Sequence, residues 1–363
     1  MKKTISTFLL LIICTASSAI SKVISGKIID AISKKTIPNV HIYSSKLNAG
    51  TITNADGNFT LIIAEKDELH ISYVGYEKQI FKIDQSVSKD LIIEMNLKVE
   101  SLDEMVINAN PITVEIILEK VFKNFKKNHF VEPVYYKFYS RLVYYHKDST
   151  LNAIEEYAGT ILQNKMHNTR YNIEKGRIKY FAKDSIEQLE NHRVISMDKM
   201  YTDNIFKFRE DYIKRKRSKR YQYNLVGKSN LFGRDCYVLT FYTERDTYYK
   251  KGELYIDIKD FAVIRKVLKD SDNQILNDII FKKDNEKWYL TKTEDYYNSF
   301  STPDITAYRI TIYNHLSIKN SNLDFMRLTP RDFSIDLSVN FNDKFWENNN
   351  FVPLPNWIKN QIN

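Results

Sequence analysis

Apolar and polar positions alternate with period two through the first hundred residues. Phe59, Leu61 and Ile63 alternate with Asn58, Thr60 and Ile62, and Leu69, Ile71 and Tyr73 alternate with His70, Ser72 and Val74. Leu91, Ile93, Met95 and Leu97 repeat the pattern. Alternation in β-branched and aromatic residues predicts half-buried strands. Shorter runs over residues 23–30, 40–43, 50–54 and 78–83 read the same way, with a turn region over 33–38. Asp56-Gly57 predicts a tight hairpin turn, because glycine tolerates the positive φ such a turn needs. Seven short strands at regular spacing are the pattern of a β-sandwich.

Residues 99–110 read as a connector. After them the period changes from two to that of a helix: Val114, Ile117, Leu118, Val121, Phe122 and Phe125 fall on one face. Asn110-Pro111 is predicted to open this helix, with Asn as cap and Pro at the first helical position. Lys123, Lys126 and Lys127 suit its C-terminal dipole. Candidate strands, many rich in aromatic residues, then follow over residues 135–145, 154–162, 221–226, 235–242, 248–258, 261–268, 287–297 and 307–318. Turn signals at Phe232-Gly233-Arg234, Lys259-Asp260 and Asp284-Asn285 predict an antiparallel meander. Residues 184–220 are mixed and polar, with short helices expected. The stretch FWENNNFVPLP near the end predicts a tail that tucks Phe345 and Trp346 against the sheet.

The first strands carry a more specific pattern: Gly26, Asp30, Pro38, Val40, Ile42, Gly50, Thr51, Thr53, Asp56, Gly57, Phe59, Leu69, Ser72, Tyr73, Gly75 and Tyr76. With these residues, positions 23 to about 98 resemble the carboxypeptidase regulatory-like domain, a seven-stranded transthyretin-like sandwich. Asn54 stands where that family often has an acid, a change in turn chemistry only. The resemblance implies a scaffold without catalytic residues of its own, so no carboxypeptidase activity is implied. Residues 102–107 (LDEMVI) are similar to the short segment that follows this domain in TonB-dependent outer-membrane transporters and recruits a partner by strand addition. The chain is far too short for a transporter barrel, and a linker strand on the sandwich edge explains the segment better. FYSR (Phe138 to Arg141) and EEYAG (Glu155 to Gly159) are similar to a group of exported bacterial proteins that pair this sandwich with a longer C-terminal region. GELYIDIKDFAVIRKV, from Gly252, is similar to strands of lipoprotein-carrier (LolA-like) half-barrels, which would imply a sheet able to hold an acyl chain.

The expected fold is therefore mainly β, α+β overall. An N-terminal seven-stranded Ig/transthyretin-like sandwich spans 22–98, a linker 99–110, and a helix with an antiparallel β-rich unit 111–363. The 363 residues, 43% hydrophobic and 13% aromatic, can supply two ordinary cores. Twenty-five Tyr and 20 Phe against 9 Gly and 7 Pro favour long strands over disorder.

Residues 1–19 have the three parts of a secretory signal: Lys2 and Lys3, an apolar core from Phe8, and the small residues Ser17, Ser18 and Ala19. Cys14 follows Ile13, not the small residue a lipidation site needs, so it reads as part of the apolar core. Removing Lys2 and Lys3 lowers the formal charge of +9 by 2, to +7, a mild excess that does not argue for nucleic-acid binding. Cys236 alone remains, so an exported chain must be held by packing and not by an internal disulfide. In a strand-like run it is expected to be buried and inert.

The chemistry sought is sparse. His129 and Glu132 have H-x-x-E spacing, but Pro133 follows at once and no third zinc ligand is placed by any pattern. Glu155 and Glu156 are adjacent, so on a strand they face opposite ways and cannot act as a pair. The NADGN turn lacks the acids of a calcium loop, since Ile52 and Ile63 occupy the ligand positions. The tyrosine pairs Tyr135-Tyr136, Tyr144-Tyr145, Tyr248-Tyr249 and Tyr296-Tyr297 could form a sugar platform, but core-and-surface alternation explains them. Six of the seven residues from Lys214 to Arg220 are basic, which suggests either a solvated loop or an anion-facing one. No catalytic, cofactor-binding or metal residue is assigned, and no cofactor is expected.

The expectation is a non-enzymatic envelope protein, periplasmic or outer-membrane-associated. Its partner would be another envelope protein, with lipid or polysaccharide as alternative ligands. Nucleic acid is not expected, nor is a transmembrane helix in the mature chain. A lipid carrier using the C-terminal sheet is the second expectation and a zinc metallopeptidase the third.

Overall fold

The computed structural model describes residues 21–47, 49–73, 76–83, 90–97, 112–129, 134–163, 169–181, 220–231, 234–244, 251–298, 304–316 and 352–362. The first seven strands form two facing sheets. Ser21–Asp30 (β1), Asn58–Ala64 (β4) and Leu91–Met95 (β7) make one, in the order β4-β1-β7, with β7 parallel to β1. His41–Ser44 (β2), Ala49–Ile52 (β3), Asp67–Ser72 (β5) and Gln79–Ile83 (β6) make the other, antiparallel in the order β3-β2-β5-β6. The inward positions Ile24, Ile28, Phe59, Leu61 and Ile63 meet Ile42, Leu69 and Ile71 in one apolar cluster, as the alternation requires.

The Asp56-Gly57 turn is not the expected hairpin. Gly57 does have φ of +74°, and the Asn54 N–H donates to the Asn58 carbonyl at 2.8 Å. Beyond that bond the strands part: β3 pairs with β2 and β4 with β1. Thr53 holds the end of β3 on its own sheet, accepting from the Val40 N–H at 2.9 Å and donating to the Ile37 carbonyl at 2.7 Å. The Gly57 carbonyl instead takes the Ile28 N–H of β1. The turn is a corner between sheets, and Asn54 builds it by accepting from the Asp56 and Asn58 N–H groups.

The helix α1 spans Val114–Asn128 and buries Ile117, Leu118 and Val121, the expected stripe. Its start is later than Asn110-Pro111 suggests. Thr113 is the cap and accepts from the Ile116 N–H; Asn110 and Pro111 lie outside the described residues.

Ten strands then form a single antiparallel sheet. They are Val134–His146 (β8), Leu151–Gln163 (β9), Thr169–Tyr180 (β10), Gln222–Leu231 (β11), Arg234–Tyr242 (β12), Lys251–Asp257 (β13), Val263–Lys269 (β14), Ile275–Asp284 (β15), Lys287–Asn298 (β16) and Ile305–Leu316 (β17). The order is β10-β9-β8-β17-β16-β15-β14-β13-β12-β11. The expected meander runs from β11 to β17, and β17 then pairs with β8. Strands β10 and β15 were not expected. A bulge between Ile173 and Lys175 breaks the period of β10, and Asn277 and Asp278 interrupt the apolar run of β15. The final helix, Asn356–Ile362 (α2), was also missed, although the terminal segment does tuck against the sheet. Phe345 and Trp346 lie outside the described residues.

The two faces of this sheet are covered by different things. On one face α1 joins an apolar cluster with members from all ten strands, such as Tyr136, Tyr157, Tyr171, Leu231 and Tyr313. On the other lie the sandwich and the terminal segment 352–362.

Candidate functional site

Strand alternation on β17 divides the two faces. Tyr313 points to the α1 side, while Ile310 and Ile312 point to the sandwich side and pack with Ile52 of β3 and with Val352. The same parity on β8 sends Phe138 one way and Arg141 and Tyr145 the other. The seam between sandwich and sheet is thus built from residues two apart on adjacent strands.

A row of charges crosses this face. Register places Arg177 of β10 opposite Glu156 of β9, Glu156 opposite Arg141 of β8, Arg141 opposite Ile310, Ile310 opposite Glu294 of β16, and Glu294 opposite Asp278 of β15. Arg141 and Arg177 both bind Glu156, which also accepts from the Tyr139 hydroxyl; all four side chains are buried. Burial alone would raise the Glu156 carboxyl, but the two guanidinium groups hold it below the usual range. Arg265 forks onto Asp278 at 2.9 and 2.8 Å. Lys292 reaches Asp278 at 3.5 Å and Glu294 at 2.6 Å. Against burial, Arg265 and Lys292 keep Asp278 ionised far below the ordinary carboxyl range. From the sandwich, Tyr43 receives the Lys282 ammonium over its ring at 3.5 Å. His41 sits fully buried nearby, held neutral by its burial and then by the cations of Arg265 and Lys292.

The terminal segment straps the seam. The Val352 carbonyl accepts from Arg141 at 2.9 Å, the Pro353 carbonyl from Asn54 at 3.4 Å, and the Asn356 N–H donates to Asp56 at 2.6 Å. Gln361 and the Ile362 carbonyl then bind Leu151 and Lys179 on the sheet. Beneath the strap lies a cavity of about 340 Å³. The sandwich supplies Pro38, Ile52, Asn54 and Ala55, the sheet Arg141, Tyr145, Glu294, Tyr296, Tyr308 and Ile310, and the strap Pro353, Trp357 and Ile358. Its charged groups are engaged with neighbours: Arg141 as above, and Glu294 with Lys292 and with the Tyr308 hydroxyl at 2.6 Å. This volume falls within the range of small-molecule sites.

The sandwich, with its strands and its Asn54 corner in place, agrees with a known family. Residues 24–107 match the CarboxypepD_reg-like domain family model. The match runs past the sandwich strands into the connector and includes Leu102 to Ile107, which lie outside the described residues. Comparison with curated proteins finds no match. The solved structures to which the chain is similar include three proteins from bacteria. A putative outer membrane lipoprotein-sorting protein domain from Vibrio parahaemolyticus has 10% identity and a TM-score of 0.28, over 56% of this chain and 94% of that one. A DUF1329 family protein from Desulfovibrio piger ATCC 29098 has 9% identity and 0.27, over 55% and 91%. A LolA superfamily protein from Nitrosomonas europaea has 11% and 0.26, over 56% and 92%. Scores this low carry no argument about the sheet, which stands on its own geometry.

The CarboxypepD_reg-like domain contributes His41, Tyr43, Ile52 and Asn54 to the seam, and none of these was expected to matter. The residues that were considered are placed elsewhere. His129 caps α1, is fully buried between Phe125 and Phe281, and is pushed down to about 3 by that burial, then by Lys287. Glu132 lies outside the described residues. Among the described residues no three His, Cys, Asp or Glu side chains converge as a metal site. Cys236 is buried, donates its thiol to the Ser229 carbonyl at 3.3 Å, and is pushed up to about 12 by burial, which fits an inert thiol. Glu155 and Glu156 do face opposite ways: Glu155 accepts from the Tyr157 hydroxyl, Glu156 from the arginines. In the pairs, Tyr136 and Tyr144 are buried while Tyr135 and Tyr145 are half-buried, and Tyr145 and Tyr296 reach the cavity. Tyr248, Tyr249 and the basic run before Arg220 lie outside the described residues, as do residues 1–19. No described helix is long and apolar enough to cross a membrane.

The FYSR and EEYAG stretches acquire a physical meaning here. Antiparallel register sets Arg141 of the first against Glu156 of the second.

Proposed function

We propose that the protein is a non-enzymatic component of the cell envelope, exported through residues 1–19 to the periplasm or the outer-membrane surface. The sandwich, over residues 22–98, is the module that presents the β-rich unit over 111–363. The observation that carries this reading is the seam itself. The sandwich is fastened to the sheet by Ile52, by the Tyr43–Lys282 contact and by the strap from Val352 to Ile362. Arg141 and Arg177 bind Glu156, and Lys292 binds Asp278 and Glu294, a network that suits a rigid joint. A pull-down from envelope fractions with the tagged chain should return one dominant envelope protein. Assays with peptide and ester substrates should show no turnover; hydrolysis abolished by a single substitution would overturn the reading.

The cavity favours a second reading, in which the same joint holds an apolar ligand. The expected place for such a ligand was the C-terminal sheet, whose face toward α1 is filled by an apolar cluster. The opposite face has room. Native mass spectrometry on gently extracted protein should then show an added mass that is lost on denaturation.

A further inference from the structure

The seam cavity has a composition that restricts what can occupy it. Its walls are aromatic and aliphatic: Tyr296 lies 4.8 Å from Tyr308 and Trp357 lies 5.4 Å from Tyr145, ring centre to ring centre, beside Ile310 and Val352. Most polar atoms in the wall are occupied. Thr53 bridges Val40 and Ile37, Asn54 holds its turn, Glu294 binds Lys292 and Tyr308, and Arg141 binds Glu156 and the Val352 carbonyl. Two groups differ. The phenol hydroxyls of Tyr145 and Tyr296 have no hydrogen-bond partner among the described residues, although both rings line the cavity. Burial raises both phenols above their ordinary value, and for Tyr296 the Glu294 charge raises it further, so each keeps its proton and can donate.

An uncharged apolar body fits such walls, because a charged group would lose its hydration with no counter-charge to meet it. Donors that meet no acceptor among the described residues suit acceptor oxygens on that body. We propose that the cavity binds a neutral, mainly apolar molecule carrying carbonyl-type oxygens, which accept hydrogen bonds from Tyr145 and Tyr296. This rests on the second reading above and names its ligand chemistry. Two sources share that chemistry: an acyl ester of glycerol and a ring carbonyl of quinone type. The four aromatic side chains suit a ring, and the aliphatic and proline positions suit a chain.

The test is calorimetric titration of the full chain, as processed by its host, with 1-monooctanoylglycerol, 2-methyl-1,4-naphthoquinone, octanoate and choline. One neutral probe should bind with a stoichiometry of one, and which one it is decides the source. Tighter binding of octanoate or choline overturns the ligand class. Tyr145→Phe with Tyr296→Phe keeps both rings and removes both donors; affinity should fall about 10-fold or more, with an unchanged melting temperature. An unchanged affinity overturns the assignment of the two phenols. Ala55→Trp fills the cavity from its exposed rim and should abolish binding; full binding by this variant overturns the site. Should no probe bind while native mass spectrometry finds a molecule of another class, the ligand chemistry falls and the binding reading stands. An empty protein in both measurements removes both.

Discussion

Glu156 shows how one side chain can decide whether its surroundings hold. It is fully buried, and Arg141 and Arg177 close on it from the strands to either side. A buried ion pair adds little over a well-packed apolar one, but removing a single partner strands the others. Glu156→Ala leaves two buried guanidinium groups without their shared carboxylate and is expected to cost about 3–5 kcal/mol in urea unfolding. The paired substitution Glu156→Gln should fall between, since an amide can still accept. Acid acts on the same groups. Glu156 and Asp278 are both held below their unfolded values of about 4.3 and 3.9 by the cations around them. Their contribution is complete above those values and is lost as pH falls through the lowered folded ones. The urea midpoint should therefore hold from pH 6 to 5 and drop progressively from pH 4 to 2, and replacing Glu156 should flatten that drop. At this scale the sequence is partly readable. Cys236 announces an inert thiol by its apolar neighbours. Arg141 and Glu156 look like two surface charges until the register sets them face to face.

At the scale of elements, Gly159 of β9 faces the bulge of β10. A Cβ there would stand 2.1 Å from the Asn172 carbonyl and 3.0 Å from the Glu174 N–H, both backbone atoms that cannot turn aside. Gly159→Ala should push β10 outward at its bulge and destabilise by about 1–3 kcal/mol. Hydrogen exchange should show faster amides in β10, with β13 and β14 unchanged; uniform acceleration across the sheet would mean that the close approach is not the cause. The same bulge explains why β10 escaped the reading of the sequence. Strand patterns are legible where alternation holds, as in β4 and β5. They fade where an inserted residue shifts the phase, as at Ile173 to Lys175, or where a polar residue is buried by a partner on another strand, as Asp278 is by Arg265. The α1 stripe was legible for the same reason as the clean strands. Its cap was not, because Asn110-Pro111 and Thr113 are rival start signals and only the fold chooses.

For the whole molecule the question is whether sandwich and sheet behave as one body. Sequence alone separates them by a connector and gives no reason for them to touch, since Ile52, Ile310 and Ile312 are ordinary strand residues until a second face needs covering. The structure places Ile52 outside the sandwich core and inside the seam cluster with Ile310, Ile312 and Val352. This makes it a probe of the joint that spares the domain. Ile52→Lys would set an ammonium in that cluster near Lys292, where the Glu294 carboxylate is already bound by Lys292 and Tyr308. The seam should open while the core around Ile28, Phe59 and Ile71 stays packed. Scanning calorimetry would report this directly. The unaltered chain should unfold in one cooperative transition, and the variant in two, with the coupling weakened by about 3 kcal/mol. The strap offers an independent route to the same state. Cutting the chain before Val352 removes the carbonyl that Arg141 uses and the N–H that Asp56 uses. Two transitions in the truncated chain, at the temperatures seen for Ile52→Lys, would mean that strap and isoleucine cluster hold one joint. A single transition lowered in both would mean instead that the sandwich and sheet fold as an indivisible unit, and that the seam is interior and not an interface.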